Sequence, residues 1–239
     1  MSAMSDESTR NPRLLRWETA RSEVSGAWLE KRRLAAAMRS VIARLVEIEA
    51  PEAELAAAAD GLERYAARLA QHPRPNRYEG WSETSTSGDV SSFFDHSPLI
   101  GLSNPLAPPI ELTADADGRR VHGRAVFGAA YEGPPGCVHG GYVAAAFDEL
   151  LGFANSLSGT PGMTGTLTVR YRRPTPLHTE LRFEGTFDKA EGRKIYTSGQ
   201  LYAGEALCAE AEGLFIAVPT ERFRALFEER QKRDGERER

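Results

Sequence analysis

Residues 136–156 read GCVHGGYVAAAFDELLGFANS, and the fold turns on this stretch. From His139 to about Ser156 the polar and apolar residues do not alternate, so it is a helix and not a strand. Between Gly140 and Ala154 only Tyr142, Asp148 and Glu149 carry polar atoms. A helix without a solvated face is buried on most sides. The small residues Gly140, Gly141, Ala144, Ala145, Ala146 and Gly152 are expected to let other structure wrap closely around it.

On either side of this helix the pattern has a period of two. Ile110, Leu112 and Ala114 share one face of a strand, Asp117–Gly118 makes a tight turn, and Val121, Gly123, Ala125 and Phe127 line the next strand. Beyond the glycine- and proline-rich loop 128–136 and the helix, four more strands are predicted at about 163–172, 179–188, 193–203 and 206–217. Glu191–Gly192 and Ala203–Gly204 mark the last two turns. Two strands, one helix and four strands describe an α+β fold, a long antiparallel sheet curled about a central helix.

The N-terminal third is different. Leu34, Met38, Val41, Leu45 and Ile48 recur at helical spacing up to Pro51, and Leu55, Leu62, Tyr65 and Leu69 form a second stripe. The two stripes predict a helical hairpin. Residues 10–44 are predominantly basic and 45–80 predominantly acidic, so the helices can pair, or the basic one can contact DNA or a protein. The expected organisation is a helical extension at 1–80, a linker or pocket-covering segment at 81–109, the sheet-and-helix domain at 110–218 and a charged tail at 219–239.

Composition narrows the function. The chain of 239 residues is 41% apolar and 27% charged, with 30 basic and 34 acidic side chains and a net charge of −4. That balance excludes a polycation coating nucleic acid. No apolar run reaches the ~18 residues of a membrane span, and MSAMSDESTR has no hydrophobic secretory core. Cys137 and Cys208 have neither metal nor CxxC spacing. A cytoplasmic protein with no metal and no cofactor is expected, and nucleic acid is not an expected partner.

Two features carry chemistry. Burying an ionised carboxylate such as Asp148 costs several kcal/mol unless an ion pair, hydrogen bonds or catalysis justify it. Glu149, 100° further round, is expected at a rim or interface. The His139–Gly140–Gly141 turn is either a plain turn or a helix start whose uncovered N–H groups hold a developing oxyanion. Gly141 and Asp148 are two helical turns apart, on one face but ~10 Å from each other along the axis. One small carbonyl cannot touch both. Two copies related by a two-fold axis can pair the turn of one with the acid of the other, so a homodimer is expected, with a dimer of dimers open.

The stretches GCVHGGYVAAAFDELLG, MTGTLTVRYRRPTPL and AEGRKIYTSGQLYAGEALCAEAEGLFI resemble the PaaI-like acyl-CoA thioesterases of the hotdog fold, and especially their mammalian mitochondrial thioesterase-superfamily relatives. The resemblance covers about residues 105–218 and leaves the helices of 1–80 outside it. It implies hydrolysis of an acyl-CoA thioester, with coenzyme A part of the substrate. Asp148 is implied as general base or nucleophile, and Thr164, sixteen residues on, as the hydroxyl that positions water. His139, Gly140 and Gly141 are implied as the oxyanion turn, with the Gly141 N–H as its donor. Arg193 and Lys194 resemble a basic hairpin that meets coenzyme A phosphates, with Arg172 and Arg173 as assistants.

A Cys137–His139 nucleophile pair has no third orienting group in the sequence. Phe93, Phe94, Leu99, Ile100 and Leu102, with Phe147, Leu150, Leu151 and Phe153, are either an acyl tunnel or ordinary core. The alternative to hydrolysis is a non-catalytic acyl-CoA sensor whose N-terminal helices contact DNA or a protein. A hydratase on the same fold would need a second catalytic acid that the strands do not offer.

Overall fold

Alternating side chains become a sheet when one face can be covered, and here the cover is the apolar helix. The computed structural model describes residues 26–72, 95–115, 118–160, 162–218 and 229. Six strands form one antiparallel sheet: β1 Glu111–Ala114, β2 Arg120–Val126, β3 Gly162–Tyr171, β4 Glu180–Glu191, β5 Lys194–Ala203 and β6 Ala206–Ala217. Their order is β1-β2-β4-β5-β6-β3. The β4–β5 and β5–β6 turns hold Gly192 and Gly204 at φ of +59° and +56°, a region that a side chain disfavours. Two α-helices, α1 Gly26–Leu45 and α2 Glu52–Leu69, precede the sheet, and α3 Gly140–Ser156 lies against it.

The core is the contact between α3 and the sheet. Phe147, Leu150, Leu151 and Phe153 are fully buried with Leu181, Phe183, Ile195 and Leu201. The Phe147 and Phe183 rings meet edge to face, 6.1 Å apart. Close wrapping is expected from small residues on the helix, and Ala146 is buried as expected, but the sheet supplies small residues of its own. A Cβ on Gly185 or Gly199 would come within 3.0–3.1 Å of Leu150, whereas Gly141 is exposed and Ala144, Ala145 and Gly152 are half-buried.

β3 follows the helix in sequence but lies outside β6, as the last strand of the sheet. It pairs with β6 from Gly162↔Ala217 to Tyr171↔Ala209, and no described strand covers its other edge. Its residues are half-buried or exposed throughout.

The segment 95–110 fastens α1 to this core. Ile100, Ala107 and Ile110 are buried, and the Ile110 N–H donates to Leu99 O at 3.0 Å. Asp95, fully buried, accepts from Trp28 Nε1 at 2.6 Å and pairs with Arg32 at 2.8 Å. It also accepts from the Ser103 hydroxyl. Arg39 donates to Leu102 O at 3.3 Å and to Asn104 O at 2.9 Å.

The helices form but not as the expected hairpin. α1 ends at Leu45, so Ile48 falls in the connector, and α2 has no buried residue. Docking of α1 uses Trp28, Arg32, Ala35 and Arg39, a polar face about 100° around the helix from the Leu34–Met38–Val41–Leu45 stripe. Long-range ion pairing, which periodicity does not report, decided which face turned inward. Residues 81–94, with Phe93 and Phe94, and the tail from 219 apart from Glu229 lie outside the described residues, as does Asp117 of the first turn.

Candidate active site

Asp148 and Thr164 come together. Thr164, near the start of β3, points at α3, and its hydroxyl donates to Asp148 Oδ1 at 2.8 Å. The register explains why: Thr164 pairs with Phe215, and Phe215 with Ile195, so all three side chains project from the helix-facing side of the sheet. A bulge between Thr164 and Thr166 resets the strand just after the site.

The expected buried carboxylate is the other one. Asp148 is exposed in the single chain and faces the bare β3 edge, while Glu149 is mostly buried. One residue of helix is a 100° turn, which carries Glu149 to the 95–110 segment. There its carboxylate accepts from Ser97 Oγ at 3.0 Å. Burial pushes the Glu149 carboxyl up to about 7; the Ser97 hydrogen bond opposes the rise and the charge of Asp148 adds to it. Glu149 is therefore a seam residue between α3 and the covering segment, in keeping with the rim or interface expected for it.

At the start of α3 the two glycine N–H groups differ. His139 caps the helix, its Nδ1 accepting from Gly141 N at 3.0 Å. The expected oxyanion donor, Gly141, is thus already engaged, and the donor without a partner among the described residues is Gly140 N–H. The Gly140 carbonyl accepts from Tyr171 Oη at 2.8 Å, which locks the turn to the far end of β3. Tyr171 lies in the stretch MTGTLTVRYRRPTPL that carries the resemblance.

Residues 135–209 match the family model described as thioesterase superfamily. A crystal structure of a thioesterase superfamily protein is 36% identical to this chain, over 82% of this chain and 97% of its own, with a TM-score of 0.71. The chain belongs to the thioesterase superfamily. Its sheet wrapped on α3 is the hotdog fold. The matched 82% exceeds what residues 110–218 can supply, so the likeness takes in part of the extension. The acyl-coenzyme A thioesterase THEM4 of Xenopus laevis is 38% identical over 93 residues, 38% of this chain and 42% of that protein. THEM5 of Homo sapiens is 30% identical over 96 residues, 39% of each. The chain spans about two fifths of the length of these curated relatives.

Within this thioesterase-superfamily domain the remaining candidates fall into two groups. Lys194 pairs with Ile216, and Ile216 with Met163, so the Arg193–Lys194 hairpin lies at the Thr164 end of the sheet, two strands or about 10 Å across. Arg193 and Lys194 are exposed, and Arg193 Nε donates to Ala217 O at 3.3 Å. Arg172 and Arg173 follow Tyr171 at the opposite end, beside the glycine turn. Their backbone N–H groups both bond Cys208 O, and the Arg172 side chain is tied to Glu210. The candidates thus fall into two groups along β3: Asp148, Thr164, Arg193 and Lys194 at one end, and His139, Gly140, Gly141, Arg172 and Arg173 at the other.

Other readings lose ground on position. Phe147, Leu150, Leu151 and Phe153 are core, filled by the sheet, so they line no tunnel in the single chain. Cys137 Sγ contacts Pro135 O, not His139. Among the described residues no cluster of His, Cys, Asp and Glu has the makings of a metal site, and no helix is long and apolar enough to cross a membrane.

Proposed function

We propose that this chain hydrolyses acyl-CoA thioesters, with Asp148 as general base or nucleophile. The observation that carries this is the 2.8 Å hydrogen bond from Thr164 to Asp148 on an open surface beside an unpaired strand edge. The hydroxyl occupies one lone pair of Oδ1 and fixes the carboxylate plane, and the second oxygen stays open to a water molecule. As general base, Asp148 takes a proton from that water as its oxygen attacks the thioester carbonyl. The tetrahedral oxyanion then collapses, the C–S bond breaks, and coenzyme A leaves as a thiolate that recovers the proton. A thioester is activated enough for this set: a general base supplies ~10²–10⁴-fold and an oxyanion donor ~10²–10³-fold.

The oxyanion donor belongs, in this reading, to a second copy. The turn and the acid of one chain are about 12 Å apart along α3, too far for one carbonyl. A ten-residue strand with a bare edge is a template for pairing. Two β3 edges running antiparallel place the turn of one chain at the acid of the other and give two equal sites. Arg193 and Lys194 then meet the phosphates of coenzyme A. The curated relatives named acyl-coenzyme A thioesterases support the substrate class.

A sensor that grips DNA through α1 is less well supported. Of its basic residues, Arg32 is held by Asp95 and Arg39 by the carbonyls of Leu102 and Asn104, so they are turned away from any duplex.

Thiol release from a panel of acyl-CoAs tests the activity directly. Asp148→Asn keeps an oxygen for the Thr164 hydroxyl and should lower kcat by at least ~10²-fold with little change in Tm. An undiminished rate removes Asp148 from the mechanism. Gly140→Pro deletes the proposed donor alone. Proline is tolerated at the first helical position, and His139, at φ −58° and ψ 130°, already has the extended backbone that a following proline demands. A loss of ~10²–10³-fold in kcat is expected; full activity assigns the oxyanion to another donor.

A further inference from the structure

α1 is attached by the wrong face for a solitary helix. Its polar side, Trp28, Arg32 and Arg39, is spent on Asp95 and two carbonyls, while Met38, Val41 and Leu45 are 39–58% exposed. α2 repeats the anomaly: Leu55, Leu62, Tyr65 and Leu69 lie open along 18 residues without a single buried side chain. In proteins most helical stability comes from packing an amphipathic face rather than from intrinsic propensity. Each stripe needs a partner, and each has the shape of the other's.

The charges match as well. α1 carries Lys31, Arg32, Arg33, Arg39 and Arg44 against Glu30, whereas α2 carries Glu52, Glu54, Asp60 and Glu63 against Arg64 and Arg68. Yet within one chain the two helices do not pack on each other. Pro51 is extended at φ −57° and ψ 146°, and proline also presses Ala50 toward extended backbone. Glu47, at the end of α1, is within 4.0 Å of His178 on the core.

We infer that α1 and α2 are exchanged between two copies of this chain: the acidic α2 of one copy packs its Leu55–Leu62–Tyr65–Leu69 stripe on the basic α1 of the other, and the reverse. A two-fold axis makes the contacts equal. Each apolar stripe is then covered by opposite charge at its margins, and the Asp95 anchor fixes α1 as the dock that α2 reaches. The inference stands on the exposed stripes and charges alone, independently of the hydrolytic reading.

The test uses the full chain with Cys137→Ser, carrying either Val41→Cys or Leu62→Cys, the centre of each stripe. The two proteins, one mass-tagged, are mixed and treated with a short bismaleimide whose reach matches the ~8–10 Å between packed helix axes. The expected result is that the Val41–Leu62 product predominates over both like–like products. Like–like products in equal or greater yield overturn the exchange. So does a chain bearing both substitutions that closes on itself when diluted until copies no longer meet. Thiol release measured on the same samples separates the two readings: activity without the mixed product leaves the hydrolase standing and removes the exchange.

Discussion

The domain at 110–218 and the extension at 26–69 obey opposite rules. In the domain Phe147, Leu150, Leu151 and Phe153 of α3 are buried against the sheet, and the exposed acid of the helix, Asp148, is at the candidate site. In the extension the polar residues hold the contact, and the apolar ones face out. The core of the first region is finished within one chain, although its β3 edge is left bare by the described strands; in the second, α2 buries nothing. Completeness of burial therefore separates what one copy specifies from what is left for an assembly to supply.

The sharpest way to break that contrast is to cut into both regions. Phe147 touches Phe183 in a filled core, so Phe147→Ala should cost about 3–5 kcal/mol at any protein concentration, measured by urea unfolding. Leu62→Ala on α2 should cost almost nothing in dilute solution. Its effect should grow with concentration as copies associate, since a partner that binds only the folded state stabilises by mass action. A large, concentration-independent cost for Leu62→Ala would mean that α2 is packed within its own chain.

The two regions were also unequally legible. Strand and helix boundaries in the domain follow the sequence to within one to three residues, because period two and a glycine-terminated turn are local signals. That Thr164 and Asp148 belong together was implied by the resemblance, whereas the hydrogen bond between them was not. For Glu149 an interface was legible but its partner was not, because Ser97 lies 52 residues away, in a segment without periodicity. Nor was the docking face of α1, which Asp95 selects from 63 residues away. The position of β3 at the edge was equally hidden: its alternation resembles that of β6, and only the crossover places it outside.

Asp95 offers a smaller and local cut. It is fully buried, with Arg32, Trp28 and Ser103 on its carboxylate. Breaking a buried pair by removing one partner costs about 3–5 kcal/mol. Here the loss is limited to the energy that keeps α1 docked, since α1 can leave without opening the sheet. Asp95→Asn should therefore raise amide exchange across residues 26–45 by on the order of 10²-fold while exchange in β4, β5 and β6 stays unchanged. If the sheet loosens with it, the extension is part of the core and not an addition to it.

Glu149 lies on the seam between the regions, and its effect is the smallest and the only one set by pH. Folding raises its carboxyl from 4.5 to about 7, so between those values the folded chain keeps a proton that the unfolded chain has released. The stability that this burial allows is complete below about pH 4.5, falls as pH rises, and levels off at its lowest above about 7. At 1.36 kcal/mol for each pH unit of displacement the span is at most about 3 kcal/mol, and less where water reaches the seam. Glu149→Gln keeps an acceptor for Ser97 and removes the titration. Its Tm should match the parent near pH 4.5 and exceed it at pH 8. Parallel curves for the two proteins would mean that the carboxyl is hydrated and charged, with the 95–110 segment standing off α3.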